Sequence, residues 1–140
     1  MPILLLTRTS ILEFKKEFSD EAAQSLERIG GYVARLIRDG DTLQVGYGSI
    51  PNVILNHLCQ KKRLGIHTEL LTEGLVNLMK CGAADNSKKT ANPGKTIASF
   101  CMADKETYRY IHNNPSILFR TVDYTNNPMV IARNENMVAR

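Results

Sequence analysis

Short β-prone runs alternate with amphipathic stretches of helical spacing along almost the whole chain, and no two neighbouring β-prone runs are joined by a two-residue hairpin turn. Strands that cannot turn straight back on themselves must be joined by crossovers. The pattern therefore predicts an α/β fold, an open and mostly parallel sheet with helices on both faces. The run opens at Ser19, a helix cap before Asp20 and Glu21. Leu26, Ile29, Val33, Leu36 and Ile37 then recur at helical spacing until Asp39-Gly40 stops them. A strand over Thr42 to Val45, a glycine loop over Gly46 to Pro51 and a helix over Asn52 to Cys59 come next. Leu64 to Leu71 reads as a strand, Glu73 to Lys80 as a helix, and the Asn-, Ser- and Lys-rich stretch from Ala83 to Gly94 as a loop. Thr96 to Met102 gives a further strand, Asp104 caps a helix ending at Ile111, and Ile117 to Val122 forms another strand. Asn126-Asn127-Pro128 opens a short helix near Met129 to Arg133. Residues 1–18 show neither period and read as a lead-in; residues 19–140 carry the domain.

A chain of 140 residues with 43% hydrophobic and 23% charged residues holds about one ordinary domain, which argues against disorder, collagen or coiled coil. The net charge of +4 and pI of about 9.1 come without an arginine stripe or interleaved aromatics, so a small anionic ligand explains them as well as nucleic acid does. No nucleic-acid partner is expected. No apolar run approaches a membrane span, and Ile3 to Leu6 is too short for a signal peptide. The expectation is a soluble, cytoplasmic protein with no membrane partner. Cys59, Cys81 and Cys101 fit neither a disulfide framework nor a metal knuckle and are expected to stay reduced. His57 and His112 lack companions at metal-ligand spacing, so no metal site is expected.

Two segments carry the candidate chemistry. Gly46, Tyr47, Gly48, Ser49 and Ile50 lie between a strand and a helix, where backbone amides can meet a phosphate or an oxyanion. Pro51 stands where a dinucleotide fingerprint has its third glycine, so the motif alone is also compatible with a plain tight turn. Glu69 sits in a segment otherwise shaped like a buried strand, one helix and one strand after Gly48, and can return beside the glycine loop. An exposed residue of an alternating strand is the competing reading. His67, two residues earlier on the same strand face, either tunes that carboxylate or packs as a hydrogen-bonded core histidine, the commoner role. Lys88, Lys89 and Lys95 are either cations for an anionic ligand or a solvated loop face.

Taken in order, Gln44 to Pro51, Leu64 to Glu69, Pro93-Gly94-Lys95, Val122-Asp123-Tyr124 and Asn126-Asn127-Pro128 resemble the acetyl-CoA hydrolase/transferase family, and most of all its 4-hydroxybutyrate CoA-transferases. The resemblance runs from about Ile29 to Val138. It implies an NagB/RpiA-like α/β fold, with Glu69 as covalent nucleophile and Gly46, Tyr47, Gly48, Ser49 and Ile50 holding coenzyme A and the thioester oxygen. The implied reaction moves CoA between an acyl-CoA, such as acetyl-, butyryl- or 4-hydroxybutyryl-CoA, and a carboxylate such as acetate. Thioester hydrolysis, or a CoA-binding assembly module without catalysis, are the alternatives. Tyr47 and Asn52 depart from the family pattern, which has small or aliphatic residues and an aspartate there, and this bears on pocket shape. Family chains also carry a preceding domain and continue beyond the point matching Val138. The resemblance thus implies an incomplete domain, the first part of the catalytic C-terminal domain. A separate chain supplying the missing domain, self-association and low activity of the chain alone are expected with it.

Overall fold

Every strand pairing among the described residues is parallel, as crossover connections require. The computed structural model describes residues 20–139, so the lead-in over 1–18 and the Ser19 cap lie outside it. The elements run α1 (Asp20–Leu36), β1 (Thr42–Gln44), α2 (Ser49–Asn56), β2 (Gly65–Ile66), β3 (Leu70–Leu71), α3 (Glu73–Lys80), β4 (Thr96–Ala98), β5 (Phe100–Cys101), α4 (Lys105–Ile111), β6 (Ile117–Phe119), α5 (Val122–Thr125), α6 (Pro128–Ile131) and β7 (Met137–Ala139). The architecture is α/β.

The sheet is less continuous than the sequence suggests. It consists of a three-stranded piece in the order β2-β1-β7 and two pairs, β3-β5 and β4-β6. The expected strand from Leu64 to Leu71 splits into β2 and β3, and the one from Thr96 to Met102 splits into β4 and β5. A single bridge from His67 to Ile97 links the chain just after β2 to β4. The splits fall where the ladder is distorted: the Glu69 carbonyl accepts two amides, from Ser99 at 2.8 Å and Phe100 at 3.1 Å. A carbonyl shared in this way cannot keep regular parallel spacing, so both strands kink at the same level.

The core holds Leu43, Leu55, Leu58, Leu64, Ile66, Leu71, Leu75, Val76 and Leu78, contributed by β1, α2, β2, β3, α3 and their turns. Helix α3 keeps the bounds read from sequence and buries Leu75, Val76 and Leu78. Asp104 caps α4 as expected, its carboxylate accepting the Thr107 amide at 2.8 Å. That bond holds the carboxyl below its ordinary range.

Helix α1 corrects a second expectation. Ile29 and Leu36 are 43% and 69% exposed; the buried positions on α1 are Gly30 and Ala34, and Ile37 is buried just beyond its end as expected. A Cβ on Gly30 would sit 2.7 Å from Val53 Cγ1, so α1 makes its closest approach to α2 at a glycine. Helix α2 begins at Ser49 instead of Asn52, with Pro51 inside the first turn, where its missing amide costs nothing. Val122, read as the end of a strand, instead starts α5. Asn127 caps α6 by accepting the Met129 amide, and β7 pairs with β1.

The loop from Ala83 to Gly94 is anchored inward. Asn86, 1% exposed, accepts the Ile66 amide on Oδ1 and donates from Nδ2 to Thr96 Oγ1. Lys89 is buried as well. Its Nζ donates to the carbonyls of Ile66 at 2.8 Å and Lys95 at 2.7 Å. This removes Lys89 from the solvated face read from sequence, because two inward carbonyls offered the amine what water would have given it. Lys95 stays exposed with Nζ on the Pro115 carbonyl, and Lys88 is exposed.

The thiols of Cys59, Cys81 and Cys101 are free. A hydrogen bond from Cys81 pushes the Cys59 thiol up to about 11, and burial does the same for Cys101. No helix among the described residues is long and apolar enough to cross a membrane.

Candidate active site

The end of β1 and the kink at Glu69 are joined by one side chain. Thr68 is fully buried, and its hydroxyl donates to the Val45 carbonyl at 2.9 Å while lying 3.4 Å from the Val45 amide. A threonine suits this place because one hydroxyl serves as donor and acceptor together. The residue before Glu69 is thereby fastened to the residue before Gly46. The candidate nucleophile and the glycine loop start from one fixed point.

Beyond that point lies an open cleft of about 490 Å³, lined by Gln44, Val45, Gly46, Tyr47, Thr68, Glu69, Leu70, Phe100 and Asn126. This volume is in the range of small-molecule sites. Glu69 is half-buried, neither sunk in the core nor simply exposed. Its Oε2 accepts a hydrogen bond of 2.8 Å from Asn126 Nδ2. One amide donor fixes the carboxylate while leaving lone pairs open to the cleft.

The glycine loop divides between the cleft and the helix behind it. Gly46 and Tyr47 line the cleft, and Tyr47 is 64% exposed. Gly48, Ser49 and Ile50 turn into α2 and do not line it. Gly48 holds φ 149°, a conformation that L side chains avoid, and no side chain caps the helix it precedes. The helix start is thus built of backbone alone, its amides uncovered by any side-chain cap.

His67 is fully buried. Its Nε2 lies 3.0 Å from the Thr125 carbonyl. A carbonyl only accepts, so the proton sits on Nε2. Burial lowers the pKa of the ring, against the raising effect of that bond. His67 therefore packs as a hydrogen-bonded core histidine, and the two residues on this strand face engage adjacent positions: His67 takes Thr125, Glu69 takes Asn126.

Asn126 is the site residue that pattern reading missed. The sequence does carry a signal. In Asn126-Asn127-Pro128 the side chain of the second asparagine caps α6, while the first ends α5 through its backbone amide and keeps its side chain free for Glu69. Phe100, 41% exposed, was likewise not singled out and forms a wall of the cleft. His57 is paired with Glu27 at 2.8 Å, and among the described residues no three His, Cys, Asp or Glu side chains converge as metal ligands would.

Residues 104–139 match the family model for the acetyl-CoA hydrolase/transferase C-terminal domain. The chain is 48% identical over 111 residues to a 4-hydroxybutyrate coenzyme A transferase of Clostridium kluyveri, an alignment spanning 79% of this chain and 26% of that protein. It is 47% identical over 113 residues to a succinyl-CoA:cyclohexane-1-carboxylate CoA transferase of Geobacter metallireducens, spanning 81% and 26%. A solved 4-hydroxybutyrate CoA-transferase from Porphyromonas gingivalis superposes with a TM-score of 0.79 at 46% identity, over 81% of this chain and 30% of the other. The chain spans about a quarter of the length of the relatives it matches. With the order of its motifs, the α/β fold and these similarities in agreement, the chain belongs to the acetyl-CoA hydrolase/transferase family.

Proposed function

We propose that this chain is the nucleophile-bearing part of a CoA-transferase, and that Glu69 carries the chemistry. The observation that carries the reading is a half-buried carboxylate, held by one amide, at the mouth of a cleft that also contains Gly46 and Tyr47. The Glu69 carboxylate attacks the acyl-CoA carbonyl, the carbon–sulfur bond breaks, and CoA thiolate leaves a mixed anhydride. The thiolate returns to the glutamyl carbonyl, releasing the acyl group as a carboxylate and leaving a glutamyl-CoA thioester. An incoming carboxylate reverses these steps and departs as the new acyl-CoA. The amides of Gly46 and Tyr47, which line the cleft, stabilise the oxyanion of each addition, and the loop onward to Ile50 meets the rest of CoA.

The reading places residues 19–140 as the first part of the C-terminal catalytic domain, of NagB/RpiA type, in the cytoplasm. Relatives of this chain are named for several acyl groups, from 4-hydroxybutyrate to cyclohexane-1-carboxylate. Tyr47, standing in the cleft, is the residue proposed to set which acyl group fits. Catalysis in this class draws on binding energy from remote parts of CoA, and about three quarters of the relative's length lies outside the matched stretch and can supply it. The chain alone is therefore expected to bind CoA weakly and turn over slowly. The family domain, as a separate chain or a second copy, completes the site.

The test is trapping. The chain, alone and with a family partner domain, is incubated with acyl-CoA and reduced with borohydride, and peptides are mapped by mass. Reduction at Glu69 supports the reading; modification elsewhere with Glu69 untouched removes it. Comparing CoA release with and without acetate separates transfer from hydrolysis.

A further inference from the structure

The carboxylate at the cleft is held by one side chain, and the segment carrying that side chain is held from beneath. Asn126 ends α5, a helix of only 4 residues that cannot fix its own end. What fixes it is Thr125, fully buried one residue earlier. Its carbonyl accepts from His67 Nε2 at 3.0 Å, and its hydroxyl shares a 2.6 Å bond with Ser99 Oγ. His67 and Ser99 flank the kink in neighbouring strands, and Ser99 also gives its amide to the Glu69 carbonyl. The Glu69 backbone and the donor to its carboxylate are thus anchored to the same two strands.

We infer that His67 is a positioning residue for Glu69: through the Thr125 carbonyl it fixes the end of α5 from which Asn126 aims the carboxylate into the cleft. The inference rests on the reading of Glu69 as nucleophile. The His67 ring supplies a donor on Nε2, while its Nδ1 is buried without a partner. A core position filled for packing alone would not leave a buried nitrogen unpaired, since an apolar side chain of similar volume avoids that penalty. The Nε2 proton offsets it, because it satisfies a buried carbonyl next to the residue that holds the nucleophile. The arrangement resembles the outer partners that orient metal ligands: the contact is one step removed, and its effect is on aim.

The inference makes a distinction between donor and filler that substitutions can read. His67→Gln keeps an amide donor at the reach of Nε2, whereas His67→Phe keeps ring volume without it. The measurements are side-chain amide exchange of Asn126 and the carboxyl carbon shift of Glu69, by NMR on the chain labelled at Asn, Glu and Leu. The expectation is that His67→Phe speeds exchange of the Asn126 amide about tenfold and moves the Glu69 signal, with core resonances such as Leu55 and Leu71 in place. His67→Gln restores both. A wild-type Asn126 signal in His67→Phe overturns the inference, and so does an equal loosening in Phe and Gln variants, which would mark a packing role. Should His67→Phe fail to fold, His67→Asn, too short to reach the Thr125 carbonyl, is set against His67→Gln: loosening in Asn alone supports the inference, and equal behaviour overturns it. Borohydride trapping of the wild type is run in parallel. Loss of trapping there with the NMR pattern intact refutes the nucleophile and not the anchoring; the reverse refutes only the anchoring.

Discussion

Lys89 grips β2 at Ile66, and Glu69 stands three residues later at the break before β3, yet the two charged groups are housed in opposite ways. Lys89 is 4% exposed, with its amine on two carbonyls, and burial pushes it down to about 7. Glu69 is half-buried, has one amide donor on its carboxylate and faces a cleft. A buried ionisable group whose partners are all backbone serves the fold, since its bonds close a gap that the loop would otherwise leave open. A group held at one corner with room beside it is placed to react. On the proposed reading the difference shows why burial of a charge is by itself a poor guide to function: the more deeply buried of the two is the structural one.

The comparison can be broken most decisively at Glu69. In the completed enzyme, Glu69→Ala should lower acyl-CoA:carboxylate exchange by roughly a thousandfold or more. The same change should shift unfolding free energy by no more than about 0.5 kcal/mol, as for other surface substitutions. A chain that loses its melting transition instead would make Glu69 structural and erase the contrast.

Lys89→Met is the mirror experiment. Two buried carbonyls lose their donor, so denaturant unfolding should show a loss of about 2–3 kcal/mol, with the cleft unaltered. The pH dependence follows from the lowered pKa. Between about 7 and the ordinary 10.5 the unfolded chain binds more protons than the folded one, so stability rises with pH across that window. Above it the amine is neutral in both states and the rise ends. In Lys89→Met that rise should disappear, and its persistence would assign it to another group.

Gly48→Val sharpens the boundary between scaffold and site. At φ 149° a valine is strained by about 1–3 kcal/mol, and CoA binding in the completed enzyme should weaken by about tenfold if the loop yields its shape to relieve it. Calorimetry showing unchanged affinity would take the loop out of the site. The smallest effect is expected at Asn126. Asn126→Ala removes one hydrogen bond to the carboxylate and should slow trapping at Glu69 by about tenfold, with melting unchanged.

What was legible in the sequence is the part governed by local chemistry. Helix α3 has its bounds written in apolar spacing between Thr72 and Gly82, and the α4 cap is announced by Asp104 three residues before Thr107. The glycine loop and Glu69 were found as separate features, and their meeting at one cleft followed from βα geometry. Other features depend on partners distant in sequence. Which face of α1 is buried is decided by Val53 and His57 against Gly30, which a hydrophobic pattern does not show. Lys89 reads as a surface residue until the carbonyls of Ile66 and Lys95 are in place. Asn126 comes beside Glu69 only in the folded chain, where the preceding Thr125 meets His67, far back in the sequence. The division of the sheet into short pieces was invisible for the same reason, since it follows from two amides converging on one carbonyl.

The pairing of β1 on both sides has a consequence for how the molecule is made. Thr42 is in register with Gly65 on one flank and with Met137 on the other, and nearly all the described chain lies between the second pair. During synthesis β1 and β2 can close as soon as the intervening helix forms, but the opposite edge of β1 stays bare until β7 emerges. Loop closure over such a span is slow, and an unpaired parallel edge is a template for other chains in the meantime. A nascent chain stalled shortly before Met137 would therefore present that bare edge after α2 and α3 have formed, a surface on which two such chains can pair.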